Sequence, residues 1–287
     1  MHTTLPLSPA QSELIAQRAQ AVTNINLPPG GLEFTPELLE LRRQILKVVD
    51  REGLVVLSKF SGNHDQVLVY LMSLIGVPWR DQNAGPMVMD IKPVQHEMSV
   101  ETTSYYSWNN FDYHTDLQYV DDPPDFIAVL CVTPDAHGEG RSIFADIRAA
   151  AKDLSPQTLR ELQKPNFIFK APPHYKGGLV AHKPILDQDA RGDFVVRVRF
   201  DRASTDTPEA EAALKELSAA FDKHRIEFLV NQNEAYLIDN RRIAHGRTPF
   251  SPTFSASDRH LKRILGMREK PVSSDLFSAS HPLFTDP

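Results

Sequence analysis

A single cysteine in 287 residues, Cys131, leaves nothing from which to build a disulfide framework, so a reducing, cytoplasmic setting is expected. It lies inside the apolar run FIAVLCVTP and reads as a small buried hydrophobe. Basic residues are in deficit: 31 Lys and Arg stand against 37 Asp and Glu, a formal charge of −6. No basic run reverses that balance locally, which removes the attraction that nucleic acid or an anionic membrane would need. No apolar stretch reaches membrane-spanning length, and the opening MHTTLPLSPA lacks the basic and apolar regions of a signal peptide. Internal repeats and low-complexity tracts are missing too, which excludes solenoids and disordered arrays.

What is present is enough apolar residue, 41%, for a sizeable core, cut into short pieces by 22 prolines. The front third reads as helical. Thr35-Pro36 supplies an N-cap followed by proline at the first helical position, Leu38, Leu41, Ile45 and Val48 keep helical spacing, and Gly53 closes the segment. LVVLSKF then reads as a strand, and a second helix is expected from Asn63 to Ile75, stopped by Gly76. From about residue 85 the period changes to short β-branched and aromatic runs, among them MVMDIKPV, FIAVLCVT, NFIFKA, FVVRVRF, EFLV, AYLID and RILGM. Two helices interrupt them, one near 146–163 and one opened by Thr207-Pro208. The expected fold is mainly β with flanking helices, a β-sandwich or jelly roll. One domain is expected over 1–287, with a helical part at about 1–80 and a strand-rich core at about 85–270. Residues 171–193, rich in Pro and Gly, read as a long loop and a candidate lid.

The run FDYHTDLQY sets His114 and Asp116 two places apart. In extended chain such residues project to the same side, and an imidazole with a carboxylate suits Fe(II), Mn(II) or Zn(II). The pair needs a third ligand, and His245, at the end of the strand-like AYLIDNRRIAHGR, is the candidate. Two histidines and one carboxylate on one face leave positions open, an arrangement associated with non-haem iron, whereas zinc on the same residues fits hydrolysis. The remaining histidines, including His137, His174 and His260, have no such partners. Arg259, fourteen positions after His245, offers a permanently charged fork to a carboxylate, and Ser142 offers a hydroxyl beside it.

His114-x-Asp116, His245 and Arg259 together resemble the taurine dioxygenase/clavaminate synthase-like superfamily of Fe(II)- and 2-oxoglutarate-dependent oxygenases. The likeness runs from about residue 54 to 268, and DNRRIAHGRTPF followed by DRHLKR resembles the clavaminate synthase and amino-acid hydroxylase branch. The resemblance implies a double-stranded β-helix with Fe(II) on His114, Asp116 and His245. It also implies 2-oxoglutarate as cosubstrate held by Arg259, Ser142 and Arg263, with O2 and a small molecule as further partners. The implied reaction couples decarboxylation of 2-oxoglutarate to oxidation of an unactivated C–H bond in an amino acid or small peptide-derived natural product. Two departures stand out: Asp116 where the branch often has Glu, and Ser142 where Thr is common. The carboxylate at 116 argues against halogenation, which requires a small residue there. A zinc hydrolase or isomerase on the same ligands and a non-catalytic barrel binding protein are the competing readings. Trp108, Tyr105 and Tyr106 are expected in the core or at the barrel edge, and Arg197 and Arg199 either at a substrate carboxylate or in solvent.

Overall fold

The computed structural model describes residues 2–80, 85–95, 106–171 and 180–268. In chain order the strands are β1 (Thr3–Pro6), β2 (Leu54–Ser58), β3 (Val77–Trp79), β4 (Val88–Ile91), β5 (Phe111–His114), β6 (Phe126–Thr133), β7 (Ser142–Asp146) and β8 (Phe167–Lys170). They continue with β9 (Val180–Lys183), β10 (Leu186–Gln188), β11 (Phe194–Val196), β12 (Ala203–Thr205), β13 (Ile226–Phe228), β14 (Ala235–Asp239), β15 (Ile243–Arg247) and β16 (His260–Met267). The helices are α1 (Pro9–Ala19), α2 (Pro36–Glu52), α3 (His64–Ile75), α4 (Ile147–Ala150), α5 (Pro156–Leu162) and α6 (Pro208–Lys223). No helix among the described residues is long and apolar enough to cross a membrane.

Helix ends follow local chemistry. The Thr35 hydroxyl accepts the Leu38 N–H, and α2 stops at Gly53, whose φ of 74° favours glycine. Asn63 caps α3 and Thr207 caps α6 in the same manner. The single helix expected near 146–163 is instead two. Pro156 holds Ser155 extended, so α4 and its short 3-10 extension end before α5 begins. A capping box at Ser8 and Gln11 opens α1, which the sequence patterns did not single out.

Two sheets form a jelly roll. The major sheet runs β1-β2-β14-β6-β16-β3, with β4 also on β16, and the minor sheet runs β13-β7-β15-β5. The strand expected at LVVLSKF is β2, which lies between β1 and β14 in the major sheet, so the front of the chain contributes strands as well as helices. Period-two alternation decides what each major-sheet residue meets. Leu54 and Val56 of β2 join the interior core with Ile143 and Phe144 of the minor sheet, while Val55 and Leu57 join α1, α2 and α3 on the outer face. Phe144 and Tyr236 make an edge contact across the interior, with ring centroids 5.0 Å apart.

FVVRVRF is a strand only over Phe194–Val196, paired with β10; beyond it Arg199 bridges to His114. Neither of its arginines faces solvent freely. Arg197 donates to the carbonyls of Gln118 and Val120, and Arg199 pairs with Asp201 at 2.9 Å while lying 5.3 Å over the Phe111 ring. The stretch read as a loop over 171–193 contains two strands, β9 and β10, and its residues 172–179 lie outside the described ones.

Candidate metal centre and cosubstrate cavity

The site is built around β15. It is hydrogen-bonded to β7 on one side and β5 on the other, and its register puts His245 opposite His114. Two histidines from distant parts of the sequence thus become cross-strand neighbours, with ring centroids 4.2 Å apart. Gly246 permits this closeness: a Cβ there would lie 2.4 Å from the Phe111 carbonyl oxygen, and the β5–β15 register shifts at this point.

Asp116 reaches the pair differently from the expected shared strand edge. β5 stops at His114, and Asp116 lies in the turn that follows, ahead of Leu117 with φ 55°. The turn is pinned from two sides. Thr115 N–H donates to the Val198 carbonyl at 2.9 Å, and the Asn240 side chain accepts the Asp116 N–H at 2.8 Å while donating to the Asp116 and Pro124 carbonyls. Asn240 is 1% exposed, so its three bonds substitute for water the segment cannot reach.

One donor atom each from His114, Asp116 and His245 lies within 4.8 Å of the others. Asp116 Oδ1 is 3.6 Å from His114 Nε2 and 3.9 Å from His245 Nε2. Bonds of about 2.1 Å to a first-row divalent ion call for neighbouring donors about 3 Å apart, so the two carboxylate–imidazole separations need to close by less than an ångström to meet one ion. His114 Nδ1 is 3.0 Å from the Asp112 carbonyl, which fixes the tautomer with its lone pair on Nε2, and that nitrogen is buried without a partner. Phe111 stacks on the same imidazole, centroids 3.9 Å apart. Burial, then the neighbouring His114, lowers the His245 pKa to about 3, so its ring is neutral at pH 7. Burial opposes ionisation of Asp116, but Arg263 and the two histidines hold its carboxyl well below the usual carboxylate range. A neutral imidazole at His245 and an ionised carboxylate at Asp116 are protonation states that metal ligation needs.

A cleft opens beside the triad, about 430 Å³ when its solvent-open mouth is included, and Ser142, Arg259 and Arg263 line it with His114 and His245. All six residues singled out in the sequence therefore lie at this cavity or on its metal face. Arg263 reaches it because β16 alternates, with Leu261 and Leu265 on the same interior face, and Arg259 lines it from the residue immediately before β16. Arg259 is 5% exposed and has no hydrogen bond or ion pair among the described residues. Its stem passes Gly140, φ 60°, where a Cβ would lie 2.8 Å from Arg259 Cδ. Arg263 donates to Asp116 Oδ2 at 2.6 Å, which leaves Oδ1 as the oxygen facing the histidines. The Ser142 hydroxyl meets Tyr236, whose own hydroxyl is pushed up to about 12 chiefly by burial.

Two residues were missed. Arg247 lines the cavity from β15, and a period-two reading of His245-Gly-Arg would have found it. Asn240 carries no sequence signal, since its partners are more than a hundred positions away. His137 is exposed, His260 is 2.7 Å from Asp90, and His174 lies outside the described residues, as does Tyr105. Trp108 and Tyr106 are half-buried, Trp108 edge-on to Phe254. Cys131 is fully buried beneath Arg259, and burial raises its thiol to about 12.

The sequence pattern of the taurine catabolism dioxygenase TauD, TfdA family matches residues 24–265. The chain belongs to this family. Among its relatives, the L-asparagine oxygenase of Streptomyces coelicolor is 31% identical over 181 residues, 62% of this chain and 54% of that protein. Clavaminate synthase 2 of Streptomyces clavuligerus is 25% identical over 195 residues, 65% of this chain and 58% of that protein. The matched stretches thus span somewhat more than half of these relatives. In three dimensions the chain is similar to asparagine oxygenase solved with Fe(II), 2S,3S-3-hydroxyasparagine and succinate: TM-score 0.79, 24% identity, covering 93% of this chain and 94% of that one. The non-haem iron oxygenase OrfP, solved with Fe and alpha-ketoglutaric acid, gives a TM-score of 0.73 at 20% identity, covering 92% and 94%. These likenesses bear out the jelly roll. The iron that this family implies is matched by the donor set: two ring nitrogens and a carboxylate oxygen, buried and converging.

Proposed function

We propose that the chain is an Fe(II)- and 2-oxoglutarate-dependent oxygenase that oxidises an unactivated C–H bond of an amino acid or small peptide-derived natural product. The observation that carries this reading is the placement on one cavity of the His114–Asp116–His245 face and a buried Arg259 guanidinium that has no ion pair among the described residues. The names of the relatives, L-asparagine oxygenase and the L-lysine 3-hydroxylase of Catenulispora acidiphila, support the substrate class. A zinc hydrolase on the same three ligands gives the buried arginine no anion to meet.

His114, Asp116 and His245 hold the metal, with Asp116 contributing Oδ1 because Arg263 occupies Oδ2. Arg259 pairs with the distal carboxylate of 2-oxoglutarate, Ser142 donates to the same group, and Arg263 completes the cosubstrate-binding set from the side of Asp116. With iron, 2-oxoglutarate and O2 in place, the chemistry supplied is oxidative decarboxylation to succinate and CO2 coupled to oxidation of a substrate C–H bond. Ile91, Val129 and Leu261 wall the cavity with apolar surface, which keeps water from the reacting groups. A cytoplasmic setting is part of the proposal, supported by the buried, reduced Cys131.

The test is succinate release from 2-oxoglutarate under air, with Fe(II) and a panel of free amino acids and cyclic dipeptides. Substrate-stimulated succinate formation that disappears in His114→Ala is the expected result. Zinc-dependent turnover under nitrogen without 2-oxoglutarate is the result that overturns it.

A further inference from the structure

Arg259 is not the only guanidinium that the cavity buries. Arg247 is 4% exposed, lines the same space and has no acidic partner among the described residues. Of its five N–H groups, one on Nη2 donates to the Asn109 carbonyl at 2.8 Å, and Nε is buried with no partner among the described residues. The two arginines share a single ring, with guanidinium carbons 5.0 Å (Arg247) and 5.9 Å (Arg259) from the Phe250 centroid. Arg263 is the third arginine on the cavity, and Asp116 neutralises it. Two like charges thus remain in a space that water solvates poorly, an arrangement that disfavours the empty state and favours an anion between them.

We infer that Arg247 and Arg259 form a two-arginine clamp for one carboxylate, the distal carboxylate of the cosubstrate, with Arg247 a binding residue in its own right. The inference rests on the oxygenase reading and deepens it. Local construction favours a clamp over a structural tether. Ser142, the proposed hydroxyl donor, is the direct register partner of Arg247 across β7 and β15, so hydroxyl and guanidinium start from adjacent backbone positions. Arg259 stands immediately before β16 of the opposite sheet, so the two cations approach from the two walls of the roll. Succinate keeps the distal carboxylate, so the clamp holds product as well as cosubstrate.

The test is calorimetry under nitrogen on the Fe(II)-loaded full chain, titrated with 2-oxoglutarate, succinate and 2-oxovalerate, which has the keto acid without the far carboxylate. For Arg247→Met, 2-oxoglutarate and succinate are expected to bind at least tenfold more weakly, with 2-oxovalerate within twofold of wild type. Arg247→Lys, which keeps the charge and loses the fork, is expected to fall between. The same comparison in Arg247→Lys and Arg247→Gln serves if the methionine variant does not fold. Retention of 2-oxoglutarate affinity within twofold, or equal weakening of 2-oxoglutarate and 2-oxovalerate, overturns the clamp and leaves Arg247 as a tether for the Asn109 segment. Failure of wild type to bind 2-oxoglutarate at all removes the oxygenase reading itself and the clamp with it.

Discussion

Along β6, Phe126, Ala128 and Leu130 turn to the helices, while Ile127, Val129 and Cys131 turn to the inside of the roll. The two sides of the major sheet bury side chains for different ends. Against α1, α2 and α3 the core is apolar, with Leu38, Ile45, Leu68, Val69 and Met72 fully enclosed. On the inner side the same alternation brings Arg259 and Arg263 into a cavity, opposite His114, Ser142, His245 and Arg247 of the minor sheet. Burying such groups costs solvation that nothing repays unless partners or ligands meet them. The outer face thus supplies the cohesion, and the inner face spends part of it on a pre-shaped site.

That division is open to measurement. The largest effect is expected for His245→Ala, which removes a proposed metal ligand from the inner face. Fe(II) affinity, followed by titration under nitrogen, should fall more than about a hundredfold, beyond the usual 10–100-fold for residues that merely support a ligand. Its metal-free unfolding midpoint should stay close to wild type, and a collapse of that midpoint would erase the contrast. Leu68→Ala, on the outer face, should do the reverse: about 2–5 kcal/mol of stability lost in denaturant unfolding, with metal affinity unchanged in the folded fraction. Asn240→Ala should sit between them. It strands the Asp116 N–H and two carbonyls, costing about 1–3 kcal/mol for a stranded buried group, and loosening Asp116 should weaken Fe(II) binding by about 10–100-fold. A change in stability without a change in metal affinity would make Asn240 a purely structural clamp.

Much of the outer layer was legible because its determinants are local. Thr35, Asn63 and Thr207 cap their own helices, and Gly53 ends one through its own backbone, so each boundary is written within a few residues. FIAVLCVT was legible as β6 for the same reason. Where a run depends on what it pairs with, local pattern was not enough. FVVRVRF alternates throughout, yet only its first residues find a partner strand, and the rest bends away to bind the Thr115 turn. The break at Ser155-Pro156 had a local cause and was readable.

The site divides in the same way. Residue types at fixed separations, His114 with Asp116 and His245 with Arg259, marked a candidate metal face and a candidate carboxylate anchor, and the resemblance of the set to a family supplied the chemistry. A metal and a dicarboxylate leave few alternatives to imidazole, carboxylate and guanidinium. Sequence by itself thus determined the candidate donor types, the locally capped ends of α2, α3 and α6, and the mainly β architecture. Only the tertiary structure decided that β15 sets His245 against His114, that Asn240 and Arg263 fix which oxygen of Asp116 is offered, and that Arg247 faces the same cavity as Arg259. Register and approach between strands distant in the chain arise from packing two sheets around one interior, and no local spacing encodes that.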